Sequence, residues 1–192
     1  MMRHSLAWLA LTLILTGCGS MKPEDFAGRE PRLLLEEYFV GTTRAHGLFV
    51  DRFGDLRRQF VVDIEGTWDG ETLTLVEDFF YDDGETEQRI WRIRKTGPHS
   101  YEGRADDVIG PASGKAYGNA LNWRYQLALK VGGSTWNVTF DDWMFLQDDD
   151  VIINRAEVTK FGFKLGDVTI VFSKPQASQA RAEQGITAAA AE

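Results

Sequence analysis

The chain has 192 residues, a formal net charge of −8, three His and one Cys. This acidic balance argues against nucleic acids and anionic lipid surfaces as partners, because both attract basic proteins. The few His and Cys residues argue against a zinc site, which needs a cluster of such ligands. We therefore predict no metal and no cofactor.

The N-terminus has the pattern of an export signal. Arg3 precedes ten apolar residues, 6–15, which as a helix would span about 15 Å, or half of a bilayer core. The run Leu15-Thr16-Gly17-Cys18 then resembles the bacterial lipobox, in which the Cys is acylated and becomes the new N-terminus. We predict a lipoprotein signal peptide over 1–17 and a lipid anchor on Cys18. An ordinary secretory signal with an incidental Cys is the alternative.

The residue after Cys18 bears on localisation in the cell envelope. It is Gly19, whereas Asp at this position usually retains such lipoproteins in the inner membrane. The resemblance therefore implies the outer membrane, with the protein facing the periplasm. Removal of Arg3 with the signal peptide would make the net charge −9, so the lipid and not the protein's charge would hold it to the membrane.

Two polar segments bound the predicted folded domain. Residues 18–31 are polar and contain Pro and Gly, which is typical of a tether, here a lipid-anchored one. Residues 175–192 are rich in Ala, Gln and Glu with no apolar face, which is typical of a disordered tail. The domain is then 32–174, and its first residues, 33–39, have the apolar spacing of a short helix.

The rest of the domain follows a period of two. Trp123, Tyr125 and Leu127, for example, alternate with polar residues, as in a strand with one buried face. Asp-Gly and Gly-Gly pairs between such runs suit two-residue hairpins. Long strands in direct succession favour an all-β, antiparallel up-and-down β-barrel of the lipocalin-like kind. We predict nine strands, at about 44–52, 57–68, 71–81, 86–95, 99–108, 116–130, 134–147, 151–161 and 164–173.

Several longer motifs resemble one known family. They are Gly66-Thr67-Trp68-Asp69-Gly70, Glu77-Asp78-Phe79, Asp82-Asp83-Gly84, Arg89-Ile90-Trp91, Ala105-Asp106-Asp107-Val108, Gly118-Asn119-Ala120-Leu121-Asn122-Trp123-Arg124-Tyr125, Asp141-Asp142-Trp143-Met144 and Lys160-Phe161-Gly162. Together they are similar to the proteobacterial lipoproteins grouped as domain of unknown function family 3833. The resemblance implies an envelope lipoprotein with a lipocalin-like fold and unknown activity, whose relatives are encoded near enzymes that modify fatty acyl chains.

Charged residues inside strands suggest where a ligand would bind. One face of each strand lines the interior of a closed barrel, and an Arg there needs a carboxylate or a ligand headgroup as its partner. Arg92 and Arg124 are the candidates, because each directly follows a Trp, Trp91 or Trp123. With Tyr125, these residues form the predicted ligand site. A structural ion pair is the alternative for both arginines, and the alternation leaves open which face lies inside.

Paired acidic residues are the most distinctive local feature of the chain. They are Asp82-Asp83, Asp106-Asp107, Asp141-Asp142 and the run 148–150. Most lie at predicted strand ends, where Asp side chains accept hydrogen bonds from nearby backbone N–H groups. A calcium site at one rim of the barrel is the alternative, although no loop has the spacing of a calcium-binding loop.

No pattern of catalytic residues stands out. His46 and His99 lie in separate predicted strands, and no Gly-x-Ser-x-Gly motif is present. We therefore expect no catalytic residues and a protein that is not an enzyme.

Two functions of different kinds fit these features. The first is a lipid-anchored binder that holds a fatty-acyl or other amphipathic small molecule in its barrel. The second is a structural or interaction lipoprotein whose barrel is filled by its own side chains and takes no ligand. An open or a filled interior discriminates between them, because small barrels occur in both forms.

Overall fold

The fold is a single antiparallel sheet of ten strands, and the computed structural model describes residues 20–148 and 150–175. The strands are β1 (Gly41–Asp51), β2 (Leu56–Trp68), β3 (Thr72–Tyr81), β4 (Thr86–Gly97), β5 (Ser100–Arg104), β6 (Ala112–Tyr117), β7 (Ala120–Val131), β8 (Ser134–Asp148), β9 (Val151–Lys160) and β10 (Phe163–Ser173). Each strand pairs with its neighbours in sequence, and β1 pairs with β10, so the sheet closes. The predicted all-β up-and-down barrel is confirmed.

The period of two in the sequence determines which side chains face inward. On β3, Leu73, Leu75 and Phe79 are buried, and the intervening residues are more exposed. The same alternation recurs on β9, where Ile152, Asn154 and Ala156 are buried. Successive strand residues point to opposite faces of a sheet, so one face of the closed sheet forms the core and the other faces solvent.

The number of strands differs from the prediction in one region. The segment 116–130 was expected to be one strand, but a turn at Gly118 and Asn119 divides it into β6 and β7. Gly118 has a φ of 52°, a conformation that glycine adopts without strain. The Asn119 side chain donates a hydrogen bond to the Leu146 carbonyl at 3.0 Å. A Gly-Asn pair is a hairpin signal, and apolar residues on both sides of it obscured that signal.

Part of the segment predicted to be a tether packs against the barrel. Residues Pro23–Phe26 form a 3-10 turn, and the ring of Phe26 is buried against Trp143 and Phe145 on the outer wall. The centroid of the Phe26 ring lies 5.9 Å from that of Trp143 and 5.5 Å from that of Phe145. The one aromatic residue in an otherwise polar stretch therefore fixes this segment to the domain.

The short helix expected over 33–39 is reduced to a single turn, α1 (Leu35–Tyr38). This turn and its neighbours close one end of the barrel, where Leu33, Leu35 and Phe39 are buried in the core. The Phe39 carbonyl lies so near Gly66 on β2 that a Cβ there would be 1.8 Å from its oxygen. Within the described residues, no helix is long and apolar enough to span a membrane.

Candidate functional site

The interior of the barrel contains a cavity of about 740 Å³. Its wall is formed by the inward faces of strands on all sides, including β2, β3, β4, β7, β8 and β10. This volume falls within the range of about 300–1,000 Å³ that small-molecule sites occupy. The barrel is therefore not filled by its own side chains. The alternative function, a structural lipoprotein without a ligand, required a filled barrel.

The cavity reaches the end of the barrel opposite α1. There the linkers β1–β2, β3–β4, β7–β8 and β9–β10 meet, and residues such as Phe53 and Trp136 line both the cavity and this end. Large apolar side chains are unusually exposed on these linkers or directly beside them: Phe161 by 90%, Phe53 by 75% and Phe163, at the start of β10, by 72%. We call this end the mouth.

Three of the predicted ligand-site residues line the cavity. Trp91 and Trp123 meet edge to face with their centroids 5.7 Å apart, and Trp91 meets Tyr125 in the same manner at 5.4 Å. The strands beside Trp123 carry glycine where they pass its ring. A Cβ on Gly103 or Gly114 would come within 2.5 or 2.3 Å of that indole. The small residues of β5 and β6 thus make room for the aromatic cluster.

Arg92 and Arg124 lie on the outer surface of the barrel, away from the cavity. Both are exposed, and the Arg124 side chain, 62% exposed, forms an ion pair with Asp141 at 3.2 Å. The outward position of both arginines follows from the alternation of side chains along a strand, because a residue next to an inward-facing Trp must face outward. The aromatic residues of the predicted site are therefore inside, and its two cations are outside.

Within the described residues, Arg89 on β4 lines the cavity, as do Arg52, Arg57 and Arg58 on or beside the β1–β2 linker. The Nη2 and Nε atoms of Arg89 donate to Asp107 Oδ2 at 2.7 and 2.9 Å, and Asp107 lies in the loop 105–111. Burial alone would lower the pKa of Arg89, but the hydrogen bonds to Asp107 and the charge of Glu77 outweigh it and raise that pKa. Arg89 stays charged at any accessible pH, with Asp107 as its partner.

Glu77 faces Arg89 directly across the β3–β4 pair. Its surface is only partly covered because it borders the cavity, yet its carboxyl group lies well inside the barrel wall. Burial raises the pKa of Glu77 to about 7, against the opposing effects of Arg89 and of a hydrogen bond from Trp91. The carboxyl group can therefore change its charge near neutral pH.

A second carboxyl group, that of Asp142 on β8, is still more enclosed. Asp142 is 4% exposed and its neighbour Asn154 on β9 is 1% exposed, and both border the cavity. Burial raises the pKa of Asp142 to about 8, while a hydrogen bond from Asn154 lowers it in part. Tyr125 lies close enough that the Asp142 charge also raises the pKa of its hydroxyl. These residues form a polar group in a wall that is mostly apolar, and further charged residues, such as Arg58 and Lys130, line the cavity on strand ends nearer the mouth.

The sequence analysis assigned Asp142 to turn chemistry, and it singled out neither Glu77 nor Arg89 as a site residue. A signal for Asp142 was present, because Phe140, Asp142 and Met144 share the phase of the apolar positions Trp136 and Val138. A carboxylate that alternates in step with the inward-facing apolar residues of a strand is expected to be buried, even when the residue next to it in sequence faces solvent.

The other candidate residues have structural partners. Asp83 and Asp148 accept backbone N–H groups of their own turns at 3.0 and 3.1 Å. His99 stacks on Tyr117 with a centroid distance of 3.9 Å. Over residues 20–148 and 150–175, no group of three or more His, Cys, Asp or Glu residues is arranged to hold a metal ion. Cys18 lies outside these residues, so its lipidation stays a prediction.

Fold and site together define a class: a closed antiparallel barrel with an internal cavity that opens at one end. The chain belongs to the family described as protein of unknown function (DUF3833), which matches residues 12–174, and the family resemblance seen in the sequence is confirmed. No curated protein matches the chain.

A solved structure supports the lipocalin-like description of the barrel. The S-type phycobiliprotein lyase CPES from Guillardia theta is similar to this chain with a TM-score of 0.54. The match covers 74% of this chain and 93% of the lyase, at 11% sequence identity. At that identity the likeness shows the fold alone.

Proposed function

We propose that this protein is a lipid-anchored envelope protein that binds an amphipathic small molecule, such as one with a fatty-acyl chain, and catalyses no reaction. The observation that carries the proposal is the cavity, closed by α1 at one end and open at the mouth. Its wall is mostly apolar, with a polar group formed by Glu77, Arg89 and Asp142 and with further charged residues toward the mouth. Sites of this composition bind molecules with an apolar body and a few polar atoms.

The mouth supports this function because large apolar side chains lie among its charged ones. An alkyl chain that enters between Phe53 and Trp136 meets aromatic surface before it reaches the interior. Exposed apolar patches on a soluble domain commonly mark binding sites. The exposed Phe161 on the β9–β10 linker and Phe163 at the start of β10 extend this surface outward.

The predicted anchor is compatible with an open mouth. Cys18 precedes Ser20 by two residues, a reach of about 7 Å, and the next residues, Pro23–Phe26, pack on the barrel wall. Phe26 lies beside Gly118, in a turn at the closed end. A lipid on Cys18 would therefore join the barrel in its closed half, on an outer-membrane surface that faces the periplasm, and would leave the mouth accessible.

The test is displacement of a neutral apolar fluorescent probe, N-phenyl-1-naphthylamine, from the purified protein by dodecanol. Val168 lines the cavity on β10, and Val171 lies on the outer face of the same strand. Val168→Trp narrows the cavity and should weaken saturable probe binding about tenfold or more. Val171→Trp adds the same side chain outside and should leave binding unchanged.

Absence of saturable probe binding by the wild-type protein would refute the proposal. Equal binding by both Trp variants would show that the probe binds elsewhere on the surface.

A further inference from the structure

Two oxygen atoms in the cavity wall lack a hydrogen-bond partner within the described residues. They are Asp142 Oδ1 and Asn154 Oδ1, on side chains that are at least 96% buried. A buried polar atom left unpaired costs about 1–3 kcal/mol. Because both residues border the cavity, the missing partner is something that the cavity holds.

The charges around these atoms indicate the sign of that partner. Three carboxyl groups, of Glu77, Asp107 and Asp142, interact with a single guanidinium, that of Arg89. The hydrogen bonds of Arg89 go to Asp107, so this pair is close to neutral. Glu77 and Asp142 remain as excess negative charge whenever they ionise.

We propose that the polar group of the bound molecule is a cationic amine, held by Asp142, Asn154 and Glu77. This inference rests on the proposed function, and it names the headgroup class of the same ligand. An ammonium group donates hydrogen bonds and accepts none, so it fits two unpaired acceptors and the excess carboxylates. Trp91, which donates a hydrogen bond to Glu77, and Tyr125, which interacts with Asp142, are aromatic residues of the kind that also favour a cation.

A free fatty acid fits the same cavity poorly. Its carboxylate would enter among Glu77 and Asp142. Arg89 and Arg58, which both line the cavity, are already paired, Arg89 with Asp107 and Arg58 with Asp83 and Glu85. The sequence-based expectation of an arginine facing an anionic headgroup is thus reversed by the charges that actually line the wall.

The preference for an amine should depend on pH. An alkylammonium behaves like a Lys side chain, whose pKa is near 10.4, so it stays charged while the wall carboxyls titrate near neutral pH. The charged and titratable groups around Asp142 are Glu77 on β3, Arg89 on β4, Asp107 in loop 105–111, Tyr125 on β7 and Asp141 on β8. Of these, Glu77 and Asp142 gain charge as the pH rises, so amine binding should strengthen.

The experiment compares three ligands with the same chain by calorimetry of the purified protein: dodecylamine, dodecanol and dodecanoate, each below its aggregation concentration. At about pH 9 we expect dodecylamine to bind about tenfold or more tightly than either of the others. At about pH 5.5 its advantage over dodecanol should fall to less than about threefold, because both carboxyls are then protonated.

Asp142→Asn should abolish most of the amine preference at pH 9, measured as the ratio of the dodecanol and dodecylamine dissociation constants in the same variant. Asp141→Asn is the matched control, because Asp141 faces outward beside it and pairs with Arg124; it should keep the preference. Glu77→Gln provides a second test at an independent position and should reduce the preference in the same direction.

The outcomes separate this inference from the proposed function. If dodecanol binds with a saturable stoichiometry but dodecylamine has no advantage at pH 9, the amine inference is wrong and the binding function stands. Tighter binding of dodecanoate would overturn the inference as well. If none of the three ligands binds, both proposals fail, and water alone occupies the two acceptors.

Discussion

Asp142 illustrates what an ionisable residue does inside a barrel. Its carboxyl group is out of contact with solvent, and in such a place the neutral form is favoured. Because the pKa of Asp142 is raised in the folded protein, the stability of the ligand-free protein depends on pH. The direction of the pKa shift determines whether stability rises or falls with pH. Between the ordinary pKa and the raised one, the folded protein holds a proton that the unfolded chain releases. Stability therefore falls as the pH rises through this interval.

We predict that the melting temperature of the ligand-free protein falls between about pH 5 and about pH 8.5. Both Glu77 and Asp142 contribute, with pKa values of about 7 and about 8. Each unit of pKa difference between the folded and unfolded states corresponds to about 1.4 kcal/mol of stability. Each kcal/mol of stability corresponds to about 2–4 °C in the melting temperature. Asp142→Asn should flatten the decrease and raise the melting temperature at pH 8.5. Thermal unfolding of the wild type and of Asp142→Asn across this pH range measures the effect. Parallel pH profiles of the two melting temperatures would contradict the raised pKa of Asp142.

From the sequence, the placement of a side chain inside the barrel could be predicted only where burial follows from the residue type. Trp91, Trp123 and Tyr125 line the cavity because aromatic residues in the apolar phase of a strand turn inward. Arg92 and Arg124 were placed by proximity in sequence to these aromatics, which in a strand means the opposite face. Glu77 and Asp142 could be recognised only by giving the phase of the strand more weight than the polarity of the residue.

Among the elements, the loop 105–111 has an unusual role in the barrel wall. β4 pairs with β5 only from Arg92 onward, so its residues before Arg92 have no strand partner on that side. The loop fills this gap through Ala128 N, which donates to the Asp107 carbonyl at 2.9 Å, and through a bridge between Val108 and Leu127. The Arg89–Asp107 ion pair joins the loop to β4.

Asp107→Asn should therefore destabilise the protein by about 1–3 kcal/mol, because it weakens the charged hydrogen bonds of a largely buried Arg89. Urea denaturation gives the free energy of unfolding. Asp106→Asn is the control on the same loop, where the side chain is exposed, and it should change stability by less than about 0.5 kcal/mol. Equal effects of the two substitutions would show that the ion pair does not hold the loop.

The closed end depends on a close backbone contact between β2 and the residue after α1. Gly66→Ala places a methyl group against the Phe39 carbonyl, and we expect a loss of about 1–3 kcal/mol by overpacking, measured by the same denaturation. Gly97→Ala is the control, because its Cβ would lie 3.8 Å from the nearest atom. Equal stability of the two variants would mean that the end is not tightly packed.

Elements with clear turn signals were predicted well, and the others were not. The hairpins at Asp69-Gly70, Asp83-Gly84 and Gly132-Gly133 lie where the sequence placed them. The β6–β7 hairpin was missed because its turn is flanked by apolar residues that continue the strand pattern. The position of α1 under the barrel also could not be predicted, since it depends on contacts with β2 and β10 that are distant in sequence.

At the scale of the whole molecule, attachment to the membrane is inferred from the sequence alone, because Cys18 lies outside the residues that the structure describes. We predict that Cys18→Ser abolishes incorporation of labelled palmitate in the producing bacterium and leaves an unprocessed precursor. Cys18 supplies the thiol that would carry the lipid, and the chain has no other Cys. Unchanged labelling of the variant would contradict lipidation at this residue, whereas Thr16→Ser, a small change in the same motif, should preserve it.

The barrel as a whole differs from a filled one in the space that its aromatic wall leaves open. Small residues on β5 and β6 and the loop beside β4 keep that space from collapsing. Its volume, apolar wall and single open end all point to an elongated guest with its polar atoms near Asp142. The central claim is therefore that one such chain lies inside the barrel, beside Trp91.

The most direct test is quenching of tryptophan fluorescence by 2-bromododecan-1-ol, because bromine quenches an indole only on contact and in this molecule lies beside the hydroxyl group, which should lie near Asp142 and Trp91. We predict saturable quenching at one molecule per chain, with an amplitude that decreases in Trp91→Phe, inside the cavity, and not in Trp143→Phe, whose ring lies on the outer wall against Phe26. Quenching that does not saturate, or that depends on Trp143 and not on Trp91, would contradict the account.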